Sequence, residues 1–126
     1  MNFPETLKYT KDHEWILFAG ETGTVGITEY AQGELGDVVF IELPAAGKVL
    51  KQHDSFGTIE AVKAVSDIYA PVSGSILEVN TTLASTPEIV NKDPYGKGWM
   101  VKIKLSNPAE LSALLDAKAY KALTGK

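Results

Sequence analysis

The chain has 126 residues, 44% of them hydrophobic, and a formal net charge of −4 at pH 7, which is typical of one globular domain over residues 1–126. Every positive charge is a lysine and the net charge is negative, which argues against nucleic-acid binding; the absence of cysteine excludes disulfides and Cys-based metal sites. No apolar run approaches the roughly 20 residues that cross a bilayer, so membrane insertion is not expected.

Short β-branched, aromatic or alternating runs, separated by Gly and Pro, predict strands along most of the chain. These strands are expected at residues 8–18, 24–27, 37–43, 75–79 and 97–105, with a hairpin inside 56–74. Capping residues predict short helices at 29–35 after Thr28, at 86–90, from 107 onwards with a capping box of Asn107 and Glu110, and at 116–123. Many short strands between turns favour a β-sandwich or small barrel with added helices, mostly C-terminal.

The hairpin places one lysine at its tip. If Lys63 and Ala64 are the central turn residues, apolar positions face apolar positions across the two strands. The facing pairs are then Val62 with Val65, Glu60 with Asp67, and Ile59 with Ile68. This arrangement presents a long amine on a rigid support, to which a prosthetic group can be attached.

The same register sets two carboxylates against each other beside that lysine. Opposed like charges across a strand pair cost up to about 1 kcal/mol. Either Glu60 and Asp67 are simply solvated, or they form an acidic collar that identifies Lys63 to a modifying enzyme or contributes to a cation site. Glu14, beside His13 and Trp15, is a third candidate carboxylate.

No sequence pattern of an active site stands out, so we do not expect an enzyme. Ser73 is not in a Gly-x-Ser-x-Gly elbow, and no phosphate-binding glycine loop occurs. The two histidines, His13 and His53, are forty residues apart without companions at ligand spacing, so no metal site is expected.

Six segments together resemble the H-protein family of the glycine cleavage system, and they span most of the chain. They are KYTKDHEW (8–15), VGITEYAQ (25–32), LGDVVFIELP (35–44), FGTIEAVKA (56–64), APVSG (70–74) and NKDPYGKGW (91–99). Around the modified lysine, Ala61 stands where the family usually has serine, while Glu60, Lys63 and Ala64 match. A biotin carrier would have methionines on both sides of its lysine, and Val62 and Ala64 argue against that alternative.

The resemblance implies a mainly β fold, a lipoyl/biotinyl-type barrel-sandwich hybrid with short added helices, including C-terminal ones. It implies that lipoate is joined to Lys63 as an amide. If the acidic collar is what the modifying enzyme recognises, we expect Glu60 to be read by the lipoate ligase or octanoyl transferase. The resemblance also points to an arm cleft that holds the aminomethyl-loaded lipoyl arm. It indicates Glu14 and Asp67 as residues lining this cleft, and we expect the arm to pack there against apolar residues near Ile27 and Leu35.

By the same resemblance, the chain shuttles the aminomethyl group of glycine between three enzymes. The P protein, a glycine decarboxylase, would load the arm; the T protein, an aminomethyltransferase, would unload it; and the L protein, a dihydrolipoamide dehydrogenase, would reoxidise it. Two alternatives stay open: a carrier that relays lipoate to other apo-proteins, and a β-rich interaction module whose lysine is never modified. We expect a monomer.

The N-terminal residues lack the features of a secretory signal or an organellar transit peptide. The bacterial cytoplasm is therefore the expected location, with the mitochondrial matrix as the alternative for a trimmed chain.

Overall fold

The computed structural model describes all 126 residues and has two antiparallel sheets, with short helices between and after the strands. The strands are β1 (Lys8–Tyr9), β2 (Glu14–Ala19), β3 (Thr22–Ile27), β4 (Val38–Glu42), β5 (Val49–Leu50), β6 (Ser55–Ala61), β7 (Val65–Tyr69), β8 (Gly74–Val79) and β9 (Val101–Leu105). The larger sheet has the order β1-β2-β3-β9-β8-β5 and the smaller one the order β4-β6-β7. Neither sheet closes into a barrel.

Four short α-helices and one 3₁₀-helix complete the fold. The α-helices are α1 (Glu29–Leu35), α2 (Thr82–Ser85), α3 (Ile89–Lys92) and α4 (Ala117–Thr124), and the 3₁₀-helix is Pro108–Ala113. None of them has the length and apolar character that crossing a bilayer requires.

The main core contains 18 buried side chains drawn from both sheets and the helices beside them. A second, smaller cluster attaches α4 to the start of the chain, where Tyr9 and Tyr120 stack with ring centroids 4.6 Å apart. The predicted cap of α1 and the predicted start of the last helix at Asp116 are confirmed to within a residue. The Thr28 hydroxyl accepts a hydrogen bond from Ala31 N at the start of α1, and the Asp116 carboxylate accepts one from Ala119 N at the start of α4.

Three predictions of local structure are wrong in detail. The expected strand over 8–18 is divided by a turn, because the Thr10 hydroxyl accepts hydrogen bonds from Asp12 N and Glu14 N and competes with strand pairing. Asn107 makes no side-chain cap; Glu110 instead accepts hydrogen bonds from Ser73 N and Oγ, and the segment is a 3₁₀-helix. The helix expected at 86–90 lies at 89–92, and another precedes it at 82–85.

The predicted register of the hairpin is also wrong, by two residues. Glu60 faces Val65, while Asp67 faces Thr58, so the two carboxylates are not opposed. Because side chains alternate with a period of two, such a shift keeps every residue on its face, and the apolar pattern cannot distinguish the two registers. In the observed register each buried isoleucine faces a small residue. These pairs are Ile59 with Ser66 and Ile68 with Gly57.

Candidate functional site

Lys63 lies in the tight turn between β6 and β7. Ala61 N donates to Ala64 O at 2.7 Å, so the two central turn residues are Val62 and Lys63 and not the expected Lys63 and Ala64. The Lys63 side chain is exposed, and its amine forms no ion pair or hydrogen bond. The turn therefore presents a free primary amine on a strand pair that is fixed by backbone hydrogen bonds.

A narrow cleft of about 150 Å³ lies between α1, the start of β2 and the β6–β7 hairpin. All four residues predicted for the arm cleft line it, although they come from four different elements. The full lining is Asp12, His13, Glu14, Ile27, Ala31, Glu34, Leu35, Ile59, Ser66 and Asp67. Glu60 is not among them, because it is exposed on the outer face of the hairpin.

Glu14 is the buried carboxyl group of this cleft, with only 2% of its surface exposed. Its Oε1 accepts a 2.6 Å hydrogen bond from the Thr10 hydroxyl, and its Oε2 accepts a long one, at 3.4 Å, from Tyr69 N. Burial raises the pKa of Glu14 to about 8, and these hydrogen bonds offset only part of that rise. Glu14 is therefore mostly uncharged at neutral pH when nothing positive is near it. Asp67, the other carboxylate predicted for the cleft, differs in being exposed to solvent.

The raised pKa of Glu14 predicts that the free energy of unfolding depends on pH. Because the folded protein holds this proton more tightly than the unfolded chain, Glu14 favours folding at low pH. That contribution is lost as the pH rises from its ordinary pKa of 4.5 toward 8. We expect the free energy of unfolding to fall by on the order of 4 kcal/mol over that window, and Glu14→Gln to remove most of this fall.

Urea denaturation at several pH values measures this dependence. Glu34→Gln is the matched control, because Glu34 lines the same cleft but is exposed. A Glu14→Gln protein that loses stability with pH as steeply as the wild type would contradict the assignment of the buried proton to Glu14.

His13 adds a polar network at the rim of the cleft that the sequence did not indicate. Its backbone has a φ of 71°, and its Nδ1 lies 2.9 Å from the Tyr120 hydroxyl, which lies 2.7 Å from the Thr28 hydroxyl. Burial lowers the pKa of His13, with Asp12 and Glu34 acting in the opposite direction. The network connects α4 to the cap of α1, and so helps to fix one wall of the cleft.

A larger apolar groove, of about 700 Å³, lies elsewhere, between β4 and β8. It is lined by Phe40, Leu77 and neighbouring residues, and it includes none of the predicted site residues. Size alone therefore does not identify the functional site, and the candidate site is placed instead at the smaller cleft, which contains the buried Glu14 carboxyl group and adjoins the Lys63 turn.

Comparison with known proteins identifies the family to which the chain belongs. Residues 7–126 match the family described as "Glycine cleavage H-protein". The chain belongs to the glycine cleavage H-protein family. A glycine cleavage system H protein from Symbiobacterium thermophilum is 60% identical over 123 residues, 98% of this chain and 96% of that one. One from Chlorobium luteolum is 61% identical over 127 residues, 99% of each chain.

The similarity extends to a solved structure. The crystal structure of a glycine cleavage system H protein from Mycobacterium marinum matches with a TM-score of 0.91 at 38% identity, over 98% of this chain and 100% of that one. Membership in the glycine cleavage H-protein family confirms the resemblance seen in the sequence, the predicted mainly β fold, and the role of a carrier component of glycine cleavage. The modified lysine, the cleft contacts and the partners remain predictions.

Proposed function

We propose that Lys63 carries a lipoyl group as an amide on Nζ and that the chain, catalysing no step itself, carries the aminomethyl group of glycine between enzymes. The observation that carries this proposal is one of placement. The exposed, unpaired amine of Lys63 lies in the turn of the hairpin whose two strands supply Ile59, Ser66 and Asp67 to the cleft. An arm attached to this turn could fold back into a cleft of the same protein that is lined by both polar and apolar side chains.

The residues present fit a lipoyl group. Amide formation needs an accessible amine, and the Lys63 side chain is exposed with no carboxylate within ion-pair distance. When attached, the group supplies a disulfide that can take up and release a carbon unit through sulfur. The chain has no cysteine that could exchange with that disulfide.

The cleft residues would retain the loaded arm through two kinds of contact. Glu14 and Asp67 would accept charge-assisted hydrogen bonds from the ammonium at the end of the arm. Ile27 and Leu35 would contact its hydrocarbon part and exclude water. Burial keeps Glu14 protonated, but a neighbouring ammonium favours the ionised form of a carboxyl group. Docking of the loaded arm would therefore cause Glu14 to release its proton to solvent.

The proposed partners are the P protein, the T protein, the L protein and a lipoate ligase or octanoyl transferase, with the chain acting as a monomer. We also propose that the chain is not itself an enzyme, since the chemistry would reside in these partners and in the attached group. The bacterial origin of the relatives supports the bacterial cytoplasm as the place of action.

The test is mass spectrometry of the chain after incubation with a lipoate ligase, lipoate and ATP. We expect one lipoyl group per chain and, after peptide mapping, its presence on Lys63 and on none of the other eleven lysines. An unmodified chain would favour the interaction-module alternative, and a lipoyl group on another lysine would overturn the proposed site.

Glu60 gives a second prediction about modification. As an exposed carboxylate three residues before Lys63, it is placed for recognition by the ligase, and we expect Glu60→Gln to slow lipoylation without lowering stability. Because Glu60 does not face Asp67, no stabilisation from relieved repulsion is expected. Glu42→Gln, an exposed carboxylate on the neighbouring strand, is the control. Equal initial rates for Glu60→Gln and the control would remove Glu60 from the recognition site.

A further inference from the structure

The Lys63 side chain does not extend freely into solvent; its stem lies over Gly36. A Cβ atom placed on Gly36 would be 3.1 Å from Lys63 Cε, 3.7 Å from Cδ and 3.9 Å from Cγ. Gly36 ends α1 with φ 80° and ψ −156°, a backbone conformation that is essentially restricted to glycine. The absence of a side chain at Gly36 therefore both permits this backbone and opens the surface on which the lysine stem lies.

Asn91 holds that surface in place from α3. Its Nδ2 donates to Gly36 O and to Gln32 Oε1, each at 2.9 Å, and its Oδ1 accepts from Val38 N at 2.9 Å. One amide side chain thus fixes the backbone on both sides of the junction between α1 and β4. A side chain with all three of these hydrogen bonds is well suited to set the direction of the chain at Gly36.

The hairpin turn is attached to the same junction. Val62 N, in the turn beside Lys63, donates to Asp37 O at 3.0 Å. Leu35, which directly precedes Gly36 in the sequence, lines the cleft. The lysine stem therefore starts from a turn anchored at Asp37, passes over Gly36 and meets the end of the helix that forms a cleft wall.

We propose that Gly36 and Asn91 are positioning residues that hold the Lys63 stem against the end of α1 and so direct the group attached to Lys63 into the cleft. This inference rests on the proposed function for its consequence, but the restraint on the stem exists before any group is attached. The inference predicts that the Lys63 side chain is already ordered before modification. It also predicts that this order depends on the hydrogen bond from Asn91 Nδ2 to Gly36 O.

The first test uses the unmodified protein, labelled with ¹³C-lysine and studied by NMR relaxation. We expect the Lys63 Cε signal, assigned by its loss in Lys63→Arg, to show restricted motion compared with the exposed Lys126. Asn91→Ala and Gly36→Ala should each raise its mobility to that of Lys126. Two matched controls should leave it unchanged: Asn80→Ala removes a buried amide that binds two other carbonyls, and Gly47→Ala strains another positive-φ glycine with open space around it.

The second test uses the lipoylated, aminomethyl-loaded protein and measures spontaneous release of the group. Asn91→Ala should release it several-fold faster than the wild type, and Asn80→Ala should not. A wild-type Lys63 signal as mobile as that of Lys126, or variants that restrain and retain like the wild type, would overturn the inference. Failure of the proposed function looks different: the wild type would not be lipoylated on Lys63, whatever the relaxation data show.

Discussion

Replacing Lys63 by arginine is expected to abolish the exchange of glycine with CO₂ in the presence of the P protein, while the fold stays intact. Arginine keeps the positive charge and approximate length, but its guanidinium does not provide the amine that forms the amide. Lys63 is exposed and its amine makes no ion pair, and arginine keeps an aliphatic stem that can lie over Gly36, so stability should change little. The exchange rate with labelled CO₂ is the measurement, and the thermal midpoint checks the fold.

Lys51→Arg is the matched control, an exposed lysine outside the hairpin whose side chain makes no ion pair. It should exchange at the wild-type rate after lipoylation. A Lys63→Arg protein that supports exchange would show that another residue carries the arm, and the account of the hairpin would then be wrong.

Removing either cleft carboxylate is expected to make the loaded protein lose formaldehyde and ammonia faster without any partner present. A hydrogen bond to a charged group contributes roughly 1.5–3 kcal/mol, so Glu14→Gln should raise the rate of loss about ten- to a hundredfold. Asp67→Asn should raise it less, since Asp67 is exposed and water can replace its contact. The rate is followed by trapping formaldehyde from the purified loaded protein.

Both substitutions preserve the size of the side chain, so a change in rate is not explained by a collapsed cleft. Glu42→Gln, on the neighbouring strand outside the cleft, should lose the group at the wild-type rate. If Glu14→Gln and Asp67→Asn also release it at that rate, the carboxylates do not hold the ammonium and are ordinary surface and core groups.

Local capping chemistry made parts of the fold predictable from sequence. Thr28 and Asp116 begin α1 and α4, and Gly36 and Gly125 end them, each through bonds between near neighbours in the chain. The register of the hairpin was not predictable in this way. Two registers that differ by two residues bury the same side chains, so the burial pattern cannot choose between them. In the observed register Gly57 and Ser66 face the two buried isoleucines.

In the candidate site, too, some features follow from local sequence and others depend on the tertiary fold. Lys63 at the hairpin turn follows from local sequence. Of the cleft residues, Glu14 and Asp67 were indicated by the resemblance, and all four lie together only because distant elements meet. Thr10, His13 and Asn91 were missed as supporting residues. Each acts through a hydrogen bond to a residue whose position depends on the tertiary fold or on an unexpected turn.

The most direct test of the carrier account follows one labelled carbon through the isolated protein. The lipoylated chain is loaded from glycine labelled at its methylene carbon, the P protein is removed, and the label is mapped and then offered to the T protein with tetrahydrofolate. We predict one label per chain on the peptide containing Lys63, retained until the T protein is added and then transferred to the folate. A chain that holds no label once the P protein is gone, or holds it away from Lys63, would contradict the account.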